Sequence, residues 1–200
     1  MDYQFISTTA ELEDICAHFT DHGIVAVDLE ADSMHAFQEK ICLIQIASND
    51  RSFLIDPFEL KEIDPFIKVL ENPEIKKIFH GSDFDIRSLD RDYGVRVSNL
   101  FDTEIATRFL GVKERGLAAL LKNRFDVDLD KRFQRVDWSM RPLEQEMIEY
   151  SIMDVAYLEQ LCQEVSEELE QIGRMDWAVE EFEVQSRVKY EYNHEPPLFR

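Results

Sequence analysis

Two hundred residues with 44% apolar and 11% aromatic side chains are enough for one α/β domain with a substantial core. No run of about 18 apolar residues occurs, which excludes a transmembrane helix. The 42 acidic residues outnumber the 22 basic ones, for a formal charge of −20, so any contact with nucleic acid must rest on a local cationic patch or a bound metal.

The opening Met-Asp-Tyr-Gln-Phe lacks the basic-then-apolar pattern of a signal peptide. Cys16, Cys42 and Cys162 are odd in number, far apart and without CxxC spacing. That argues against a zinc site and for reduced thiols in the cytoplasm, or in the nucleus if the chain is eukaryotic.

In chain order, Tyr3 to Ile6 reads as a first strand. Thr8 with Glu11 three residues on is a capping box, opening a helix to about Phe19 that Gly23 terminates. Ile24 to Glu30 is a short buried strand, followed by a turn over Met34 to Glu39. Ile41 to Ala47 and Ser52 to Ile55 form two strands joined at Asn49-Asp50. Leu60 to Leu70 is helical, with Asp64-Pro65 starting its main part and Asn72-Pro73 closing it. Ile75 to Phe79 is a strand, Asp83 to Tyr93 a helix stopped by Gly94, and Val97 to Phe101 a short strand. Helices follow at Thr103–Leu110 and Leu117–Arg124, then a polar loop over Asp126 to Arg141. Leu143 to Ile172 is helical, in one piece or two. Strands first and helices last, without repeats or a low-complexity linker, predict a single domain with a mixed sheet flanked by helices.

Three clusters carry chemistry. Alternation along Ile24–Glu30 puts Ile24, Ala26, Asp28 and Glu30 on one face and Val25, Val27 and Leu29 on the other. Two carboxylates side by side on a buried strand repel and are poorly solvated unless one takes up a proton or a divalent cation joins them. A strand ending at Val27, with both acids in a solvated loop, is the plainer alternative. His80-Gly81-Ser82-Asp83-Phe84-Asp85 lies at a strand-to-helix junction, where Ser82 and Asp85 also read as a capping pair. On the late helix, Tyr150 and Asp154 are four apart and share a face bordering the stripe of Ile148, Ile152, Val155 and Leu158. Each alone has a bland structural reading.

Together, Asp-x-Glu, His-Gly-x-x-x-Asp and Tyr-x-x-x-Asp, in this order, resemble the three exonuclease motifs of the DEDD superfamily. The likeness is to its tyrosine subgroup and the ribonuclease D branch, since Glu149 stands where the related subgroup has histidine. The accessory stretches Leu43-Ile44-Gln45-Ile46-Ala47, Phe101-Asp102-Thr103, Gly116-Leu117-Ala118-Ala119-Leu120 and Asp137 to Leu143 extend the likeness over nearly the whole chain. The resemblance implies an RNase H-like fold with a mixed five-stranded sheet. It also implies a 3′–5′ exoribonuclease acting on single-stranded 3′ ends of tRNA or other structured RNA.

By the same resemblance, Asp28, Glu30, Asp85 and Asp154 ligate two divalent ions, Mg²⁺ or Mn²⁺, with Asp28 bridging. Hard carboxylate oxygens suit both ions, and a pair about 3.5–4 Å apart clamps the attacking and leaving oxygens of a phosphodiester. Tyr150, with an ordinary pKa of about 10, orients the attacking water and is a poor full base. Leu29 and Met34 are candidates to wedge the terminal base and His80 to reach a phosphate. Lys131, Arg132 and Arg135, around Phe133, offer phosphate contact and base stacking. Arg141 before Pro142 reads instead as a loop anchor.

Ribonuclease D-like chains continue into a small helical nucleic-acid-binding domain, so residues from about 185 read as an extension or the start of a linker toward one. Two other functions remain open: a Werner-type 3′–5′ exodeoxyribonuclease, since no motif reads the 2′-hydroxyl, and a catalytically silent RNA-binding scaffold of the same fold.

Overall fold

A computed structural model describes residues 2–32, 38–60, 62–130 and 132–191. Its centre is β2 (Ile24–Ala31), delivered by α1 (Thr9–His22). The Thr8 hydroxyl accepts the Glu11 amide at 3.2 Å, while Glu11 Oε2 accepts the Thr8 amide at 3.0 Å, so the capping box forms as its spacing requires. Gly23 then takes a left-handed φ of 75°, which turns the chain directly into the strand.

β2 is flanked by β3 (Ile41–Ser48), antiparallel to it, and β5 (Lys76–Phe79), parallel to it. A hairpin with Asn49 and Asp50 at φ 50° and 61° leads from β3 into β4 (Arg51–Ile55). β1 (Tyr3–Ile6) runs parallel to β4, and β6 (Leu100–Asp102) parallel to β5. The order β1-β4-β3-β2-β5-β6 makes six strands, as the chain-order reading has them and one more than the resemblance implies: Tyr3–Ile6 pairs in full along β4.

α2 (Asp64–Glu71) and α3 (Asp83–Tyr93) join α1 against one face. Val25, Val27 and Leu29 pack there with Phe19, Phe66 and Leu89. The other face carries α4 (Thr103–Phe109), α5 (Leu117–Phe125), α6 (Gln145–Ala156), α7 (Leu158–Gln171) and α8 (Met175–Gln185). Ala26, Ala47 and Ile78 face α4, α7 and α8, and Leu43 and Leu54 face α6. The long predicted helix breaks at Tyr157, whose φ of −107° and ψ of 0° separate α6 from α7. α8, with Ala178 and Phe182 buried against the core, was not anticipated. The three cysteines are buried free thiols, and no described helix is long and apolar enough to cross a membrane.

One irregularity falls beside the motif strand. Glu30 pairs with Leu43 but Ala31 with Ile41, so Cys42 is an extra, bulged residue. Arg141 fastens the bulge: its Nη2 donates to the Cys42 carbonyl at 2.7 Å and its Nε to Asp56 Oδ2 at 2.6 Å. The guanidinium also lies 4.8 Å over the Phe58 ring. Arg141 is thus the anchor expected of it.

Candidate metal centre

The alternation of β2 aims Asp28 and Glu30 at α6, away from the side packed by α1 to α3. One turn of α6 supplies Tyr150 and Asp154 to the same place. Carboxylate oxygens of Asp28, Glu30 and Asp154 lie within 4.8 Å of one another. Asp85 enters from the first turn of α3, 6% exposed and outside that triplet.

Burial and mutual repulsion hold protons on these acids. Burial lifts Asp28 to about 7. Burial and then the Asp28 charge lift Asp154 to about 8. Glu30 rises well above the usual carboxylate range through burial and the charges of Asp28, Asp154 and Asp85. Asp85 rises through burial and then Asp28. Four acids whose affinity for protons is raised by burial and, in three of them, by the Asp28 charge, all offering hard oxygen atoms, fit divalent cations.

Tyr150 is pinned between Phe133, 5.7 Å away, and Trp138, 6.1 Å away. It stands one helical turn from Asp154, and burial followed by the Asp154 charge pushes its pKa far above the usual phenol range. A groove of about 340 Å³ opens onto Tyr150 and Asp154, with Gly116, Ala118, Leu129 and Gln134 on its walls.

The junction before Asp85 is built differently from the capping pair its sequence suggests. Ser82, at φ −69° and ψ 3°, makes no side-chain cap. Its hydroxyl donates instead to Asp102 Oδ2 at 2.7 Å. Asp102, 1% exposed, also accepts the amides of Gly81, Ser82, Glu104 and Ile105 at 2.7–3.2 Å. This carboxylate stitches the β5–α3 turn to the start of α4, a role that local sequence around either segment does not reveal.

Several expected substrate contacts are placed elsewhere. Leu29 is 5% exposed, on the opposite face from Asp28, in the core with Val27 and Ile44; an apolar side chain at an odd position of β2 is drawn inward and cannot wedge a base. His80 Nδ1 meets Thr103 Oγ1 at 2.8 Å. Burial lowers its pKa, so it is a neutral brace rather than a phosphate cation. Phe133 is 8% exposed beneath Tyr150 and not offered to a base. Arg132 is exposed, but pairs with Asp130 at 2.6 Å and Glu146 at 3.5 Å. Arg135 is exposed. Met34 and Lys131 lie outside the described residues.

The family model described as "3′-5′ exonuclease" matches residues 3–170. The yeast exosome complex exonuclease RRP6 (Saccharomyces cerevisiae) is 31% identical over 97% of this chain and 27% of its own length. The crystal structure of the catalytic core of RRP6 from Trypanosoma brucei superimposes with a TM-score of 0.92 at 30% identity, over 98% of this chain and 55% of that one. Escherichia coli RNase D, described as an exoribonuclease involved in structured RNA processing, superimposes with a TM-score of 0.88 at 29% identity, over 93% and 50%. The chain spans about a fifth of the length of the first curated relatives it matches.

Proposed function

The chain belongs to the 3′–5′ exonuclease family, and from that premise we propose that it is a metal-dependent 3′–5′ exoribonuclease. Its substrate is the single-stranded 3′ end of tRNA or another structured RNA. The observation that carries this reading is the convergence of Asp28, Glu30 and Asp154 within 4.8 Å, with Tyr150 beside Asp154 on α6 and in the same groove. The likeness to E. coli RNase D, an exoribonuclease, favours RNA.

Asp28, Glu30 and Asp154 would hold one divalent cation, Mg²⁺ or Mn²⁺, and Asp28 with Asp85 a second. Bound there, such cations acidify a water and relieve charge on the departing 3′ oxygen. The remaining work belongs to the chain. Tyr150, beside Asp154 in the groove, would use its oxygen lone pairs to accept from the attacking water and orient it. With a pKa raised still further by burial, the phenol does not serve as the base. Phe133 and Trp138 fix the ring, so the acceptor is already in place before substrate arrives. The groove beside Gly116 and Ala118 gives the strand a path to Tyr150 and Asp154.

Matched 5′-labelled RNA and DNA oligonucleotides, incubated with Mg²⁺, Mn²⁺ or EDTA, test the proposal. A ladder on RNA with metal and none with EDTA is expected. A ladder on DNA alone would select the exodeoxyribonuclease reading, and no ladder with either metal would select the silent scaffold.

A further inference from the structure

Gln45 occupies the middle of β3, directly across from Asp28 in the antiparallel register and on the same face of the sheet. It is 0% exposed, and neither its Oε1 nor its Nε2 has a hydrogen-bond partner. Its neighbours on that face of the strand are Leu43 and Ala47, and its partner on β4 is Leu54. An apolar residue in this position would pack there with no such penalty, because a buried amide without partners costs free energy at both ends. Directly opposed residues bring their Cβ atoms to about 4.5–5.5 Å, so a side chain of glutamine length reaches the Asp28 carboxylate.

We propose that Gln45 is a positioning residue of the metal centre, whose side-chain amide donates to the Asp28 carboxylate when that carboxylate ligates a divalent cation. A ligating carboxylate keeps lone pairs that the cation does not use, and a donor on them fixes the plane in which it meets the ion. Among the charged groups of the site, Asp28 is the one whose strand register places it opposite a neutral donor. The inference rests on the metal-centre reading above and adds a residue to it.

The test is Mn²⁺ binding, followed by electron paramagnetic resonance or calorimetry, together with Tm in EDTA. The chains compared are the wild type, Asp28→Asn, Gln45→Met and Gln45→Asn. Methionine keeps the length and removes the donor, whereas asparagine keeps the amide and shortens its reach. Both Gln45 variants are expected to bind Mn²⁺ at least about tenfold more weakly. Gln45→Met should match or exceed the wild-type Tm in EDTA, which a purely structural role would not combine with weaker binding. Wild-type Mn²⁺ affinity in either folded Gln45 variant overturns the inference and leaves the metal centre standing, provided Asp28→Asn has lost its binding. Equal binding by Asp28→Asn and wild type overturns both.

Discussion

The Asp102 carboxylate takes both the amide and the hydroxyl of Ser82 at 2.7 Å, across 20 residues of sequence. Through that pair the turn that presents Asp85 is fixed by the neighbouring strand and not by its own helix. With Thr103 bonded to His80 and to the Phe79 carbonyl, the β5–α3 and β6–α4 junctions form one block.

Asp102→Asn tests that block. An amide cannot accept on the side where its NH₂ lies, so it strands the Ser82 amide if that group replaces Oδ2 and three amides if it replaces Oδ1. Charge-assisted bonds of this kind contribute roughly 1.5–3 kcal/mol each. A loss of about 3 kcal/mol in urea denaturation is expected, with turnover reduced as Asp85 loses its seat. A variant with wild-type stability would show that the carboxylate does not organise the turn.

Asp28→Asn should abolish cleavage while stabilising the metal-free protein. Asp28 and Asp154 titrate near about 7 and about 8 when folded, against an unfolded value of about 3.9. The folded state therefore binds more protons, and stability falls as pH rises through those values. In EDTA, Tm should drop between about pH 4 and pH 8 in the wild type and drop less in Asp28→Asn. Added Mg²⁺ should restore the wild type most at the alkaline end, where the carboxylates are free of protons. A flat wild-type profile in EDTA would contradict the clustered-acid account.

Asp85 and Asp83 are two residues apart and separable. Asp85 is buried beside Asp28, whereas Asp83 is exposed at the start of α3 and bonded to Arg87 at 2.9 Å. Asp85→Asn should match Asp28→Asn in loss of turnover. Asp83→Asn should cost only an exposed ion pair, about 0.2–1 kcal/mol, and little activity. Comparable loss of turnover at both positions in single-turnover assays would move the ligand away from Asp85.

What could be read from the sequence was what depends on local periodicity. A two-residue repeat aims Asp28 and Glu30 together, and a four-residue repeat aligns Tyr150 with Asp154, whatever surrounds them. The resemblance then supplied Asp85, which the local pattern also allowed to be a cap. The features that escaped depend on partners distant in sequence. Ser82 looks like a helix cap until Asp102 arrives from β6. Phe133, in a run of cations, looks like a stacking platform until α6 covers it. His80 looks available until Thr103 takes its ring nitrogen. Gln45 sits in an otherwise apolar strand, and only the β2–β3 register shows that it faces Asp28.

Tyr150 has the role most open to a sharp test. Its ring packs against Phe133 and Trp138, so Tyr150→Phe removes one hydroxyl from an otherwise unchanged frame. If that oxygen orients the attacking water, losing it forfeits one transition-state hydrogen bond, about 2.7–4 kcal/mol or roughly 10²–10³-fold in turnover. The same change removes no carboxylate of the triplet, so Mn²⁺ affinity should move far less than turnover. Asp154→Asn, one helical turn on, should weaken both together because it removes a carboxylate of the triplet. A metal titration of single-turnover rates separates the two: Tyr150→Phe should saturate at wild-type Mn²⁺ concentrations but at a low plateau, and Asp154→Asn should need more metal. A Tyr150→Phe chain brought to the full rate by excess Mn²⁺ would mean that the phenol supports the metal ligands and does not position water.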